Sequence, residues 1–214
     1  MRMPTHGSNK PYETPSYAKG SVTSERSNPG ELRKLLASKS KDRVLIDLIW
    51  LSLFTGARVN EICSLTVDDV VDGGLRIREG KSDAAARWLP IPEDVREVVE
   101  RRATGEGWLI PGLKPGGPDK KRSWNVQKRV NRWIDKVLGD PENATFHSLR
   151  PSYSTACEQV GLHQYTHCEL MGHKKPNLAT QVYSEGKSVA QLRKAQEEVS
   201  RHIREEWLRP PTSD

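Results

Sequence analysis

Residues 42–65 read DRVLIDLIWLSLFTGARVNEICSL. Val44 to Phe54 is the longest apolar run of the chain, but Asp47 and Ser52 interrupt it, and it falls well short of the ~18 apolar residues that a membrane span needs. The run is predicted to form a strongly apolar, buried helix over Asp42 to Phe54, ended near Gly56. A second helix is predicted from about Ala57 to Leu65.

Helical spacing continues outward in both directions. Upstream, Leu32, Leu35 and Leu36 mark a helix over Glu31 to Ala37, behind the start signal Asn28-Pro29-Gly30. Residues 1–28, rich in Ser, Pro, Gly, Thr and Lys and without periodicity, are expected to form a flexible arm. Downstream the composition changes at Val67. Asp72-Gly73-Gly74 is a turn, and Leu75-Arg76-Ile77-Arg78 alternates as a half-exposed strand does. Gly80-Lys81-Ser82-Asp83 is a second turn, and Arg87-Trp88-Leu89-Pro90-Ile91 is the returning strand. Helices resume over Glu93 to Arg102 and about Ser123 to Leu138. Phe146, Leu149, Tyr153, Ala156, Cys157 and Val160 then fall at steps of three and four. Val189, Leu192, Val199 and Ile203 place an apolar stripe on a C-terminal helix from Ser188 to Trp207. The expected architecture is mainly α with one small antiparallel β-sheet.

Composition bounds the function. The 214 residues are 35% hydrophobic and 29% charged, with a mean hydropathy of −0.72, which supplies one core and not two large ones. The net charge of +6 and a pI near 9.3 favour polyanionic partners, nucleic acid first. The N-terminal MRMPTHGSNKPYETPSYAKG has no apolar core of a secretory signal. Cys63, Cys157 and Cys168 are odd in number and lack CxxC spacing, so a reducing cytoplasm is expected. Neither a membrane, a small-molecule substrate nor a cofactor is called for by this pattern.

Four segments carry reactive side chains. In TGARVNEICSL, Arg58 and Glu61 are three apart and share a helical face, where a carboxylate orients a guanidinium and leaves its fork for a phosphate. The unadorned alternative is a surface ion pair of little worth. Lys81 sits at a hairpin tip, placed to reach a groove or to protonate a leaving oxygen, and Arg87 on the return strand is a candidate phosphate contact. In FHSLR, His147 and Arg150 fall with Ser154 on the face opposite Phe146, Leu149 and Tyr153, which is expected to point away from the core. Finally, LMGHKKPNLATQVYSEG places Gly172 as a helix end, His173 at the corner after it, and Tyr183 ten residues on.

Taken in order, these segments give Arg-x-x-Glu, a hairpin Lys, His-x-x-Arg, Gly-His and Tyr. In that order the sequence resembles the tyrosine recombinase (phage integrase) family, from roughly Glu31 to the C-terminal helix. The resemblance implies the catalytic-domain fold of DNA breaking-rejoining enzymes over residues 29–187, with residues 188–214 a C-terminal helix and tail that dock in cis or in trans. It implies site-specific recombination or integration of double-stranded DNA by a homo-oligomer, a tetramer on DNA. Arg58 and Arg150 would clamp the scissile phosphate, with Glu61 supporting Arg58. His147 and His173 would assist by hydrogen bonding and proton transfer, Lys81 would protonate the leaving 5′-oxygen, and Tyr183 would become joined to the 3′-phosphate. One ester replaces another, so the implied reaction needs neither ATP nor metal.

Two positions depart from the family pattern. Pro151 stands where a His or similar polar residue is usual, and it requires a helix that starts near His147 or Ser148. The ten-residue step from His173 to Tyr183, with Pro176 inside it, is slightly long. Members of the family usually also carry an N-terminal DNA-binding domain. With only about 30 residues ahead of the catalytic part, an excised piece or a minimal enzyme with salt-sensitive DNA binding is expected. The rival readings are a DNA-binding remnant of a mobile-element integrase, a type IB topoisomerase, and a zinc protein using His163, His167, Cys168 and His173. The last lacks a second ligand pair at a recognisable spacing.

Overall fold

Helix α2 (Arg43–Thr55) runs through the centre of the molecule and is buried on nearly every side: Leu48, Leu51, Leu53 and Phe54 are wholly inaccessible. The computed structural model describes residues 27–78, 86–139, 144–174 and 186–210. The Asp42 side chain caps the start of α2 by accepting from the Val44 N–H, and Gly56 ends it in the left-handed conformation, with φ 65°. Glycine is required there twice over, because a Cβ would lie 2.3 Å from the Tyr153 ring.

The remaining elements wrap that helix. Helix α1 (Pro29–Ala37) opens with a capping box between Asn28 and Glu31 and buries Leu32 and Leu35. The short α3 (Val59–Cys63) follows Gly56. Strands β1 (Val70–Val71), β2 (Gly74–Ile77) and β3 (Arg87–Pro90) form a three-stranded antiparallel sheet in that order, with Leu75 opposite Leu89 and Ile77 opposite Arg87. Leu75 and Ile77 face the core and Arg76 faces solvent, as the alternation requires. Helices α4 (Glu93–Arg102) and α5 (Ser123–Leu138) keep the bounds read from periodicity, and a left-handed Gly139 stops α5. A 3₁₀ turn (Phe146–Ser148) leads into α6 (Leu149–Gln159), which packs on α2 and is followed by α7 (Gln164–Met171). Helix α8 (Val189–His202) continues as a π-helical turn (Ile203–Leu208). It lays Leu192, Ala195, Val199, Ile203 and Trp207 on α1, α2, α4, α6, α7 and β3 of its own chain.

Several expectations are corrected. The sequence gives no sign of β1, whose two residues are too short to show a period. The helix expected over Ala57 to Leu65 is a single turn, Val59–Cys63, with Arg58 at its N-cap and not inside it. The arm expected over 1–28 is anchored at its end: Ser27 is buried, its N–H donates to Ser152 Oγ at 3.1 Å, and its hydroxyl bonds Ser148 Oγ at 2.8 Å. Residues 1–26 and the hairpin tip, 79–85, lie outside the described residues. Among the described residues no helix is long and apolar enough to cross a membrane.

Candidate active site

The turn after α2 begins the site. Gly56 redirects the chain, and Arg58 follows at the N-cap of α3 with a third of its side chain exposed. Three residues on, the Glu61 carboxylate is buried and accepts from the Arg58 backbone N–H and from Arg58 Nη1, both at 2.8 Å. Arg87, first residue of β3, closes on the same carboxylate from the other side, Nη2 to Oε2 at 3.0 Å and Nη1 to Oε1 at 3.3 Å. Its Nε donates to the Leu170 carbonyl in α7 at 2.9 Å. Glu61 therefore ties together α3, the sheet and, through Arg87, α7. Burial by itself would raise the Glu61 pKa, but the Arg87 charge and the hydrogen bonds from Arg87 and Arg58 outweigh it, and the net shift is downward.

Arg150 comes from the first turn of α6, where Pro151 is tolerated because the first N–H groups of a helix have no partner within it. Its side chain does not point away from the core as the helical pattern suggested: the residue is only 7% exposed. The reason is tertiary, since the Gly56 turn and the end of α7 close over it. Arg150 Nη1 donates to the Gly56 carbonyl, and Nη2 donates to the Met171 carbonyl at 2.5 Å. His147, in the 3₁₀ turn, is exposed.

Gly172 ends α7 in the left-handed conformation and so sets His173 beside Arg150, with Nε2 3.1 Å from Arg150 Nη2. A guanidinium offers no acceptor, so Nε2 is the accepting nitrogen and the ring proton sits on Nδ1. Desolvation and the positive charges of Arg150, Arg58, His167 and Arg87 push the His173 pKa down to about 4, which keeps the ring neutral near pH 7. Burial, together with Arg58 and Arg87, likewise lowers Arg150 to about 10 against the pull of Glu61. Burial is the larger cause of both shifts, and the charge repulsion added to it has one source. Among the described residues, three guanidiniums converge on one carboxylate.

Arg58, Glu61, Arg87, Arg150 and His173 are thus brought together. Arg87, expected to reach phosphate from a half-exposed strand, has a side chain only 7% exposed and braces Glu61. Lys81 and Tyr183 lie outside the described residues. Of the four residues weighed as zinc ligands, the three histidines are engaged separately. His163 Nδ1 accepts from the Tyr165 N–H, His167 Nε2 bonds Ser154 Oγ at 3.0 Å, and His173 meets Arg150. Among the described residues no group of three or more His, Cys, Asp or Glu is placed to hold a metal ion.

Sequence reasoning missed Gln196. It is wholly buried in α8 and reaches back to the floor of the site, accepting from Tyr153 Oη at 2.8 Å and donating to the Phe54 carbonyl at 2.7 Å. The available signal was its position four after Leu192 and three before Val199, a polar residue on an apolar stripe.

Known proteins place this geometry. The model of the phage integrase family matches residues 26–188. Tyrosine recombinase XerA of Thermococcus kodakarensis is 31% identical over 198 residues, 88% of this chain and 65% of its own length. Tyrosine recombinase XerA of Pyrococcus furiosus is 29% identical over 164 residues, 72% of this chain and 54% of its own. The chain accordingly spans less than two thirds of the length of these curated relatives. Among solved structures, the integrase from mycobacterium phage Brujita superposes with a TM-score of 0.64 at 20% identity, over 94% of this chain and 63% of that one. A lambda integrase tetramer bound to a Holliday junction gives 0.56 at 24% identity, over 77% of this chain and 49% of that one. At these identities the structures speak for the fold, and the family model covers most of the chain: this chain belongs to the phage integrase family.

Proposed function

We propose that this chain cuts and rejoins double-stranded DNA at specific sites through a covalent 3′-phosphotyrosyl link at Tyr183, working in the cytoplasm as a homo-oligomer assembled on DNA. The observation that carries the reading is the cationic cluster of Arg58, Arg87 and Arg150, which among the described residues surrounds one carboxylate, Glu61. A phosphodiester is an anion, and a phenol oxygen approaches its phosphorus only once that charge is offset. Arg58 and Arg150 bind the non-bridging oxygens and stabilise the charge that grows in the pentacoordinate transition state. His173, neutral and with its proton on Nδ1, donates a further hydrogen bond there, and His147 assists from the exposed 3₁₀ turn.

The Tyr183 oxygen bonds phosphorus as its own proton passes to solvent water. The bond from phosphorus to the 5′-oxygen breaks, and Lys81 gives that oxygen a proton. Rejoining is the reverse, with a 5′-hydroxyl attacking the phosphotyrosine. A free tyrosine has a pKa near ~10, so the surrounding cations also favour its deprotonation. That the T. kodakarensis and P. furiosus relatives are named tyrosine recombinases, and that the lambda integrase neighbour is described as a tetramer on a Holliday junction, supports both the reaction and the oligomer.

The test is a nicked suicide duplex carrying the native attachment region, in which loss of the short 5′-ended fragment prevents rejoining. Wild type should give an adduct that survives a denaturing gel, and Tyr183→Phe should give none. DNA binding with no adduct on any such duplex would replace this reading with that of a DNA-binding remnant.

A further inference from the structure

The turn that carries Arg58 is held from below by a residue of the C-terminal helix. Phe54 lies in the last turn of α2, where backbone carbonyls have no partner within the helix, and Gln196 Nε2 supplies one at 2.7 Å. The same amide accepts from Tyr153 Oη at 2.8 Å through Oε1. The Tyr153 ring in turn lies so close to Gly56 that no Cβ fits between them. Gly56 offers its carbonyl to Arg150, and two residues later the chain presents Arg58. Gln196 and Tyr153 are both wholly buried, so no water replaces either bond if the amide is lost.

We propose that Gln196 is a positioning residue for the arginine pair: by bonding Tyr153 Oη and the Phe54 carbonyl together, it fixes the Thr55–Ala57 turn on which both Arg58 and Arg150 depend. The proposal rests on the phosphate-binding reading of that pair. Gln196 touches no substrate, and it acts through the turn. A misplacement on the order of 1 Å in such a clamp costs about a hundredfold in rate, so the effect should fall on cleavage and on anion binding, with duplex affinity unchanged.

The experiment uses the full chain with two variants, Gln196→Met and Gln196→Glu, at a temperature where melting curves show each to be folded. Inorganic sulfate is titrated while the His173 imidazole resonances are followed, and adduct formation on the suicide duplex is timed. Gln196→Met should weaken sulfate binding at least tenfold, move the His173 titration upward from about 4, and slow adduct formation ten- to a hundredfold. Gln196→Glu keeps the acceptor for Tyr153 and, once protonated, regains a donor for Phe54. Its adduct rate relative to wild type should therefore recover as pH falls. A structural role alone would lower melting temperature and leave these readouts at wild-type values, which would overturn the proposal. Should Gln196→Met not fold, a flat ratio of Gln196→Glu to wild type across pH would overturn it equally. Should wild type give no adduct, the recombinase reading fails, while the sulfate and His173 titrations of the same variants still decide the role of Gln196.

Discussion

Glu61 and Asp47 are two buried carboxylates, each 3% exposed at the side chain and each gripped by two arginines, yet they serve different ends. Asp47 in α2 takes Arg101 at 2.9 Å and Arg102 at 2.6 Å, both from the last turn of α4. The neighbourhood is balanced: Glu97 adds negative charge beside Arg101, and Asp94 holds Arg204 at 2.7 Å. The Arg101 pKa accordingly rises, chiefly through its hydrogen bonds to Asp47. At Glu61 a third guanidinium, Arg150, is packed in with no second carboxylate among the described residues, and its pKa falls to about 10 through burial and the repulsion of Arg58 and Arg87. A carboxylate with two arginines is thus no signature of function. Surplus positive charge held in place by backbone carbonyls is what distinguishes the Glu61 cluster.

The largest consequence separates the two clusters by rate. Removing a group that stabilises transition-state charge costs about 10²–10³-fold, so Arg58→Ala and Arg150→Ala should each reduce adduct formation by about a thousandfold in folded protein. Arg101→Ala, which takes the same group from the balanced cluster, should leave the rate within about twofold and lower the melting temperature instead. Timed gels on the suicide duplex, run beside thermal melts, make the comparison. Equal slowing by Arg101→Ala and Arg58→Ala would end the distinction between a clamp and a brace.

The same pair of clusters shows what a sequence exposes. Arg58 and Glu61 are three residues apart, and local spacing alone pairs them. Arg87 meets Glu61 across 26 positions, and Asp47 meets its arginines across 54 and 55, so only the packed fold brings them together. In the sequence Asp47 registered merely as an interruption in an apolar run. The helices α2, α4 and α5 were legible because their apolar periods are long and because Gly56 and Gly139 punctuate them. Arg150 was legible as a candidate site residue through its motif, but its burial was not, since the helical face it occupies is covered by the Gly56 turn and the end of α7, which the packed fold brings to it. Gln196 was hidden for the same reason, with its partners 43 and 142 positions away.

A smaller effect tests the carboxylates themselves. Glu61→Gln and Asp47→Asn each leave two guanidiniums partly or wholly desolvated without their counter-charge. Breaking such a pair costs ~3 kcal/mol, toward the low end for buried pairs because Arg58 and Arg101 are each about a third exposed and solvent screens them. Denaturant melts should show comparable losses for the two variants. Only Glu61→Gln should also slow cleavage, because Arg58 loses the bond that orients it. A Glu61→Gln variant that is destabilised but cuts at the wild-type rate would show that Arg58 needs no support from Glu61.

The smallest effect is also the most local, and it concerns pH. The His173 pKa is held near 4 where an ordinary imidazole titrates near 6.5, so between those values the unfolded chain binds a proton that the folded chain refuses. Its contribution to stability is therefore complete above pH 6.5 and is lost as pH falls toward 4. Glu61, also lowered, acts in the same direction at the acid end, its contribution present above about its ordinary 4.5 and lost as pH falls through the folded value. An anion seated between Arg58 and Arg150 offsets the charges that depress His173, so sulfate should move the His173 titration upward and make folding less sensitive to pH between 4 and 6.5. Nothing comparable is expected around Asp47, where the arginines already meet enough negative charge. Guanidinium and imidazole resonances followed through one sulfate titration read both clusters at once. Shifts at Arg58, Arg150 and His173, with Arg101 and Arg102 unmoved, are what surplus charge requires. Equal shifts in both clusters would mean that sulfate responds to arginine alone, and that the balance of charge does not select the site.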